Sequence, residues 1–233
     1  MSAIRRSVQL VVGLVLFALS MAMMIHAGQG AMPWDVLTQG IVRSTGLSFG
    51  WVTLATSVVV LLAWIPLRQR PGIGTVANVV VISAAIDPWL AVLAAALPDP
   101  GIAVQICLAV GGIVLNGIAT AAYIGVRLGP GPRDGLMTGL VSRTGWSVRL
   151  VKTLIEVVVV LLGVLLGGTF GWATIAFAVG VGPVIQLSAR WLAPSGLADP
   201  VVRRVPGQRR PGSFASKRRA ASRSAESTVP RAS

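Results

Sequence analysis

Six apolar segments follow one another along the chain, each about twenty residues long and separated from the next by a short polar stretch. About twenty apolar residues in an α-helix cross the ~30 Å hydrocarbon layer of a bilayer. The pattern predicts membrane helices at about residues 8–27, 49–67, 73–97, 102–126, 151–167 and 170–192. The third contains Asp87-Pro88, and because proline lacks a backbone donor, the second half could form a separate short helix.

The composition agrees with this pattern. Hydrophobic residues make up 54% of the 233 and charged residues 12%, about half the usual share in a soluble domain, and the mean hydropathy is +0.79. These values exclude an ordinary soluble protein. Arg5 and Arg6 before the first segment, with small residues near Ala27, also fit a signal peptide, but the segment is longer than a typical signal core and belongs to the repeat described below.

The positive charges predict the orientation. If the N-terminus is cytoplasmic, Arg43 is the only cation before the tail on the outer side, and the others lie inside, as the positive-inside rule requires. Nine of the 20 Lys and Arg lie in residues 194–233, beside Asp199 and Glu226. We predict a disordered, basic cytoplasmic tail that contacts anionic lipid headgroups rather than nucleic acid, and a plasma-membrane protein with both termini cytoplasmic.

An internal repeat divides the membrane region. Residues 30–48 and 129–147 share nine of 19 positions at an offset of 99, including a proline, an aspartate and a threonine in the same order. The sequence therefore predicts two repeats, 1–100 and 101–193, with three helices each. Three crossings per repeat place the second copy upside down, as in many secondary transporters, whereas one miscounted helix per unit gives a parallel repeat.

Each copy carries a motif between its first two helices. The prolines suit the first turn of a short helix, the aspartates complement its positive end, and the glycines close it; these are Pro33, Asp35 and Gly46, then Pro132, Asp134 and Gly145. A helix of about twelve residues is too short to span, so it lies in the interface or enters the membrane as a re-entrant segment. Asp35 and Asp134 either line a pathway for ions or protons, or only cap their helices.

Other polar residues fall inside the predicted membrane helices. Glu156 lies about two turns into the fifth, and an intramembrane carboxylate marks an ion or substrate path by default. Lys152 precedes it by four residues and could form a structural ion pair with it. Asn78 and Asn116 are further pathway candidates, although such amides often serve only in helix packing.

The sequence argues against metal and hydrolase chemistry. Cys107 is the single cysteine and His26 the single histidine, which excludes an internal disulfide and the usual structural zinc sites. Gly46-Leu-Ser48-Phe-Gly50 matches the hydrolase pattern Gly-x-Ser-x-Gly, but the strand that precedes such a serine is not predicted. We therefore expect no catalytic residue, metal or cofactor, and a protein that is not an enzyme.

Several of these motifs resemble one bacterial family. The stretches that carry the resemblance are Pro33-Trp-Asp35-Val-Leu37, Gly129-Pro-Gly-Pro132-Arg-Asp134-Gly-Leu136-Met137, Arg143-Thr144-Gly145 and Ile155-Glu156. The chain resembles the YczE-like branch of the YczE/YyaS/YitT family of integral membrane proteins from about residue 10 to 190. The resemblance implies a multi-pass inner-membrane protein without an established activity. The family's Gly-x-Gly-Thr turn is present at 72–75, but the second copy reads Gly171-Trp-Ala173-Thr174.

Together these observations predict an all-α polytopic membrane protein of six helices in two inverted repeats. The favoured function is a small secondary transporter or permease, and the alternative is a non-transporting component that supports partner proteins. Its expected partners are the bilayer, anionic lipids at the tail and a small molecule or ion, and a homo-oligomer is compatible with the sequence. Substrate, direction and coupling ion are not encoded in any motif.

Overall fold

A computed structural model describes residues 3–192 of the chain, and this part is entirely α-helical, without strands. Its helices are α1 (Ala3–Ala27), α2 (Pro33–Thr45), α3 (Phe49–Leu67), α4 (Ile73–Ala96), α5 (Ile102–Gly125), α6 (Pro132–Thr144), α7 (Val148–Leu165) and α8 (Trp172–Leu192). The predicted basic tail, residues 194–233, lies outside the described residues. The all-helical prediction is confirmed.

Five helices, α1, α3, α4, α5 and α8, are long and apolar enough to cross a membrane. The predicted segment at 151–167 corresponds to α7, which has 18 residues and includes Arg149, Lys152 and Glu156. Large apolar side chains cover much of the outer surface of these helices, as expected for contact with lipid. The chain is therefore a polytopic membrane protein.

The first helix lies at the centre of the bundle. Leu14, Ala18, Met21 and Met24 of α1 are buried, and α1 packs against α5 and α4. Small residues make close approach possible: Gly13 lies against the backbone of Tyr123 in α5. This segment is packed as an integral helix of the bundle.

The fourth helix continues through Pro88 without a break, so the separate short helix that the sequence allowed is not formed. Asp87 instead holds the start of α3. Its carboxylate accepts hydrogen bonds from Ser48 Oγ at 2.6 Å and from Gly50 N at 3.1 Å, which satisfies a donor that the first turn of a helix leaves free.

The helix ends meet in two groups at opposite ends of the bundle. At the first, which we call the α2 end, Gln29 after α1 donates to Gln105 of α5 at 2.7 Å and accepts from Trp172 of α8 at 2.8 Å. His26 Nε2, near the end of α1, lies 2.8 Å from the carbonyl oxygen of Leu97, just after α4. The α2 end therefore joins the ends of α1 and α4 to the beginnings of α5 and α8.

The second group, the α6 end, contains the opposite ends of α1, α4 and α5. Gln9 near the start of α1 donates to the carbonyl oxygen of Ala122 near the end of α5 at 2.9 Å. Thr75 in the first turn of α4 donates to the carbonyl oxygen of Pro130, which precedes α6, at 2.8 Å. Helices α1 and α4 therefore run from the α6 end to the α2 end, and α5 runs the other way.

The short helices α2 and α6 have the predicted start and stop residues. Proline is the first residue of each, and the glycine after each adopts a left-handed conformation, with φ of 72° at Gly46 and 73° at Gly145. Each also packs against the helix that follows it, but its main packing partner lies in the other half of the chain. Gly40 of α2 contacts Gly163 of α7, and α6 packs against α3.

Some contacts between the halves occur in pairs at positions 99 residues apart. Gly74 N donates to Leu128 O at 2.9 Å, and Ala173 N donates to Gln29 O at 3.1 Å. Glycines beside these bonds have positive φ values, 115° at Gly30 and 135° at Gly129. A Cβ at Gly30 would come within 2.8 Å of Gly171 N, and one at Gly129 within 3.1 Å of the Gly72 Cα, so both positions require glycine.

Candidate functional site

A cavity of about 260 Å³ lies inside the bundle, and all eight helices contribute to its lining. Its polar residues are Thr53, Ser57, Asn78, Asn116, Thr120, Tyr123, Arg133, Asp134, Lys152 and Glu156. Aromatic and aliphatic side chains from α1, α4 and α8 complete the wall. Concave sites with an apolar wall and a few convergent polar groups are typical of small-molecule binding.

The N-termini of α2 and α6 meet at this cavity. Asp35 in the first turn of α2 and Arg133 in the first turn of α6 are in contact, although Gln39 and Arg43 further along α2 bond to Thr169 at the α2 end. Both short helices therefore begin inside the bundle and run outward.

Arg133 links the two short helices. Its Nη2 lies 3.4 Å from Asp35 Oδ1, and its guanidinium lies over the Trp34 ring, 5.2 Å from the centroid. The side chain of Arg133 is 27% exposed and that of Asp35 is fully buried. A cation over an indole face is stabilised by the ring quadrupole, so Trp34 holds the guanidinium plane at the cavity wall.

Asp35 is only partly satisfied. Its Oδ2 is buried and has no hydrogen-bond partner within the described part of the chain. Burial raises the pKa of Asp35 from 3.8 to about 6, although the charge and hydrogen bond of Arg133 oppose the shift. The carboxylate does not line the cavity itself, and Arg133 stands between the two.

Asp134 lies in the cavity lining beside Arg133. It accepts a hydrogen bond from the Tyr123 hydroxyl at 3.2 Å. Burial raises the pKa of Asp134, and the hydrogen bond from Tyr123 and the positive charges of Lys152 and Arg133 partly offset this increase. The two motif aspartates thus occupy different surroundings: Asp134 faces the cavity, and Asp35 lies behind Arg133.

Helix α7 supplies a second ion pair. Lys152 Nζ lies 3.7 Å from Glu156 Oε1, and their side chains are 46% and 24% exposed. An exposed pair at this separation stabilises a fold by about 1 kcal/mol or less, so its members remain free to exchange partners. Thr53 and Ser57 of α3, 99 residues earlier, line the same cavity.

The two asparagines have separate environments. Asn116 is buried and donates to Ser20 Oγ at 3.0 Å, which joins α5 to α1, and to the Met32 sulfur at 3.6 Å. Asn78 is also buried, and its amide nitrogen lies near Gly131, before the start of α6. Asn116 thus has a packing role at the cavity wall, consistent with the alternative that the sequence left open.

Five of the six pathway candidates line the cavity: Asp134, Glu156, Lys152, Asn78 and Asn116. The sixth, Asp35, does not line the cavity but contacts Arg133, which does. Sequence reasoning missed Arg133, Trp34 and Tyr123. The charge pattern assigns Arg133 to the cytoplasmic cations, whereas the structure places it in contact with the buried Asp35. The sequence signal for this position is Pro132, which puts Arg133 in the first turn of a short helix.

In the described region, the serine of the Gly-x-Ser-x-Gly match serves as a helix cap. Ser48 of the Gly-x-Ser-x-Gly match is the N-cap of α3, where its Oγ accepts from Trp51 N at 3.4 Å and donates to Asp87. Within residues 3–192, no group of three or more His, Cys, Asp or Glu side chains is placed to hold a metal ion.

The fold and the cavity define a polytopic helical membrane protein with a charged interior site. A model of DUF6198, described as a family of unknown function, matches residues 4–190, and the chain belongs to this family. It is 38% identical to an uncharacterized protein of Haemophilus influenzae over 180 residues, 75% of this chain and 81% of the relative.

Two further relatives come from Bacillus subtilis. The chain is 30% identical over 178 residues to the uncharacterized membrane protein YczE, covering 76% of this chain and 81% of YczE. It is 24% identical over 166 residues to the uncharacterized protein YyaS, with coverage of 70% and 82%. These matches confirm the resemblance to the YczE/YyaS family. No solved structure matches the chain.

Proposed function

We propose that this protein is a small secondary transporter or permease that binds its substrate in the central cavity. The observation that carries the proposal is the position of the cavity: charged side chains from α6 and α7 line it, and the first turns of α2 and α6 meet there, as the re-entrant alternative predicts. Secondary transporters place their sites near the membrane midplane, where broken helices meet. Charged groups at that depth are costly unless a function retains them.

The proposed architecture is six crossings in two inverted repeats, with α7 as the sixth. The charged residues Lys152 and Glu156 of α7 line the cavity, whereas Val157, Val158 and Leu161 are exposed on its surface. Six crossings keep both termini on one side, and the positive-inside rule makes that side the cytoplasm. The opposite ends at which α2 and α6 lie support the inversion.

The lining of the cavity supports a site between the repeats. Many lining residues recur at positions 99 apart, and the two members of a pair often differ in polarity: Phe17 and Asn116, Met21 and Thr120, Trp34 and Arg133, Thr53 and Lys152, Ser57 and Glu156, and Asn78 and Phe177. Two similar scaffolds can exchange conformations in alternating access. The differing side chains then fix one orientation of the substrate.

The inverted repeat can be tested by cysteine labelling. In a Cys107→Ser background, Leu47→Cys and Trp146→Cys place single thiols at matched, exposed positions before α3 and α7. A membrane-impermeant thiol reagent should label Leu47→Cys in intact cells and Trp146→Cys only after permeabilisation. Labelling of both from the same side would contradict the inverted arrangement.

Transport can be tested in proteoliposomes of the full chain. A panel of small carboxylates, amines, amino acids and inorganic cations is screened for electrogenic or pH-linked flux against protein-free vesicles. The wild type should move at least one panel member, and Glu156→Gln should reduce that flux by tenfold or more. Asp99→Asn is the matched control because Asp99 is an exposed carboxylate in the loop between α4 and α5. Wild-type flux equal to that of empty vesicles would refute transport for this panel.

The second candidate function is a non-transporting component that supports partner proteins. The cluster of nine cations in residues 194–233 favours it, because the family match ends at residue 190 and the tail is an addition to it. If partner or lipid contact is the function, deletion of this tail should have the same cellular phenotype as loss of the whole protein. A tail-deleted protein that retains the wild-type phenotype supports the transporter.

A further inference from the structure

We propose that the cavity binds the carboxylate of a small acid with an apolar body through Arg133, and that Asp35, on losing Arg133 to this ligand, takes up one proton. The proposal specifies a substrate class and a coupling ion for the site, and its transport consequence rests on the proposed function. Ligand binding and proton uptake can be measured without transport.

Arg133 has donors to spare. A guanidinium carries five N–H groups in a planar fork that fits a carboxylate with two parallel hydrogen bonds. Among the described residues, the side-chain hydrogen bond of Arg133 is the one from Nη2 to Asp35 Oδ1, and at 3.4 Å it is long. Because the indole of Trp34 supports the guanidinium from one side, the fork keeps its orientation when Asp35 is released.

The helix ends favour an anion at the same place. The first turns of α2 and α6 both reach the cavity, and neither N-cap residue, Met32 or Gly131, provides a side-chain hydrogen bond to its helix. The aligned peptide dipoles make each helix start partly positive. Each start already carries the carboxylate of its own first turn, Asp35 in α2 and Asp134 in α6, so Arg133 supplies the donors for an entering carboxylate.

Asp35 provides the proton site. It is fully buried, its Oδ2 has no partner among the described residues, and Arg133 is its ion-pair partner. A buried carboxylate that loses its cation is strongly destabilised and becomes neutral by binding a proton. Entry of one carboxylate together with one proton then leaves the charge of the interior unchanged.

The other charged groups near Asp35 are accounted for. Helix α7, which packs against α2, carries Lys152 and Glu156, which pair with each other, and Arg149 near its start. Helix α3 carries no titratable residue. On α6, Asp134 is held by Tyr123, and on α2 itself Arg43 bonds to Gly167 and Thr169 at the α2 end. Arg133 is therefore the cation that an entering acid would take from Asp35.

The apolar part of the wall suits an apolar body. Phe17 and Met21 of α1, Ile82 of α4, and Phe177 and Val181 of α8 line the cavity. Burial of apolar surface contributes about 25 cal/mol per Å² to binding. A carboxylate on a short branched or aromatic chain would satisfy Arg133 and this wall together.

The test uses the detergent-purified full chain with 4-methylpentanoate and phenylacetate as probes. Isopentylamine and phenethylamine are the matched cations, and inorganic phosphate tests for a general anion site. Titration calorimetry in buffers of different ionisation enthalpy gives affinity and proton uptake together. We expect the acids to bind with uptake of about one proton. Their affinity should fall about tenfold for each unit of increasing pH in the range where Asp35 is ionised before the acid binds.

Two variants separate the roles of the pair. Arg133→Gln should weaken binding of the acids by 100-fold or more. Asp35→Asn should bind them without proton uptake and with an affinity independent of pH. Asp99→Asn and Arg149→Gln, which change exposed charges elsewhere, should behave like the wild type. If Asp35→Asn does not fold, the proton number of the wild type still decides the question.

Four results would overturn the proposal: no binding of either acid, binding of the amines or phosphate in preference to the acids, acid binding without proton uptake, or an unchanged pH dependence in Asp35→Asn. Acid binding with proton uptake but without flux in vesicles would reject transport and retain this site. Flux of another compound without acid binding would reject this site and retain transport.

Discussion

Gly135 of α6 lies directly against the indole of Trp64 in α3, so that a methyl group on Gly135 would overlap the ring. Trp64 is buried, and its Nε1 donates to the carbonyl oxygen of Pro132 at 3.0 Å. At the positions 99 residues away the sizes are reversed, because Val36 of α2 lies against Gly163 of α7. At matched positions the two interfaces therefore have opposite large and small partners: Gly135 meets the side chain of Trp64, and Gly163 meets the backbone of Val36.

We predict that Gly135→Ala destabilises the protein by about 1–3 kcal/mol, because overpacking forces Trp64 or α6 to move. Thermal unfolding of the detergent-solubilised protein measures the loss. Gly101→Ala is the control, since a Cβ at Gly101 would meet no atom within 4 Å. If Trp64 is the obstacle, Trp64→Leu should recover part of the stability of Gly135→Ala, and strictly additive losses would contradict the contact.

Gly129→Ala tests the close contact at the α6 end. The residue has a φ of 135°, and a Cβ there would lie 2.9 Å from Thr75 Oγ1, so strain and overlap add. Gly28→Ala is the matched control because Gly28 also has a positive φ, 67°, but open space around it. We expect Gly28→Ala to cost about 1–2 kcal/mol and Gly129→Ala clearly more; equal melting temperatures would show that overlap is unimportant.

Arg133→Gln should steepen the dependence of stability on pH. The pKa of Asp35 is about 6 in the folded protein against 3.8 for an exposed aspartate, so its burial costs nothing below pH 3.8, an amount that grows between pH 3.8 and 6, and a constant amount above pH 6. Removal of Arg133 takes away the interactions that lower this pKa, which raises it further. Each further unit by which the pKa of Asp35 rises lowers the free energy of unfolding by about 1.4 kcal/mol at pH values above the new pKa.

The melting temperatures of wild type and Arg133→Gln should therefore differ more at pH 8 than at pH 5. Arg149→Gln, a change at an exposed arginine, should show no such trend. A difference between wild type and Arg133→Gln that is the same at both pH values would mean that Asp35 does not carry the effect.

Asp87→Asn should weaken the start of α3. The variant keeps an oxygen but loses the charge that accepts from Ser48 and Gly50, and loss of a helix cap costs about 0.5–2 kcal/mol. Thermal unfolding of the purified protein is the measurement, with Asp99→Asn as the control. Faster hydrogen exchange confined to the first turn of α3 would locate the effect, and unchanged exchange there would argue against the cap.

The helices could be predicted from the sequence, but the contacts between them could not. Long apolar runs, Pro33 and Pro132 as starts, and Gly46 and Gly145 as stops determine the elements through local rules. The pairing of Asp35 with Arg133 brings together two residues that lie 98 positions apart in the sequence, and no local pattern reports such a contact. Glu156 and Lys152 were found because charge inside an apolar run is visible in the sequence.

Pro88 shows the limit in the other direction. A proline in an apolar segment allowed a break, yet α4 is continuous, because neighbouring groups can satisfy the backbone that a proline disturbs in a membrane helix. The adjacent Asp87 accepts hydrogen bonds at the start of α3. Tertiary contacts therefore determine both the continuity of α4 at Pro88 and the hydrogen bonding of Asp87.

The exchange of partners between the halves has a consequence for biosynthesis. The amide of Gln39 in α2 accepts its bond from Thr169 N, which lies 130 residues later in the chain. While a ribosome delivers the protein to the membrane, α2 lacks its largest packing surface until α7 and Thr169 have emerged. The first helices are therefore inserted before the contacts that hold α2 are complete.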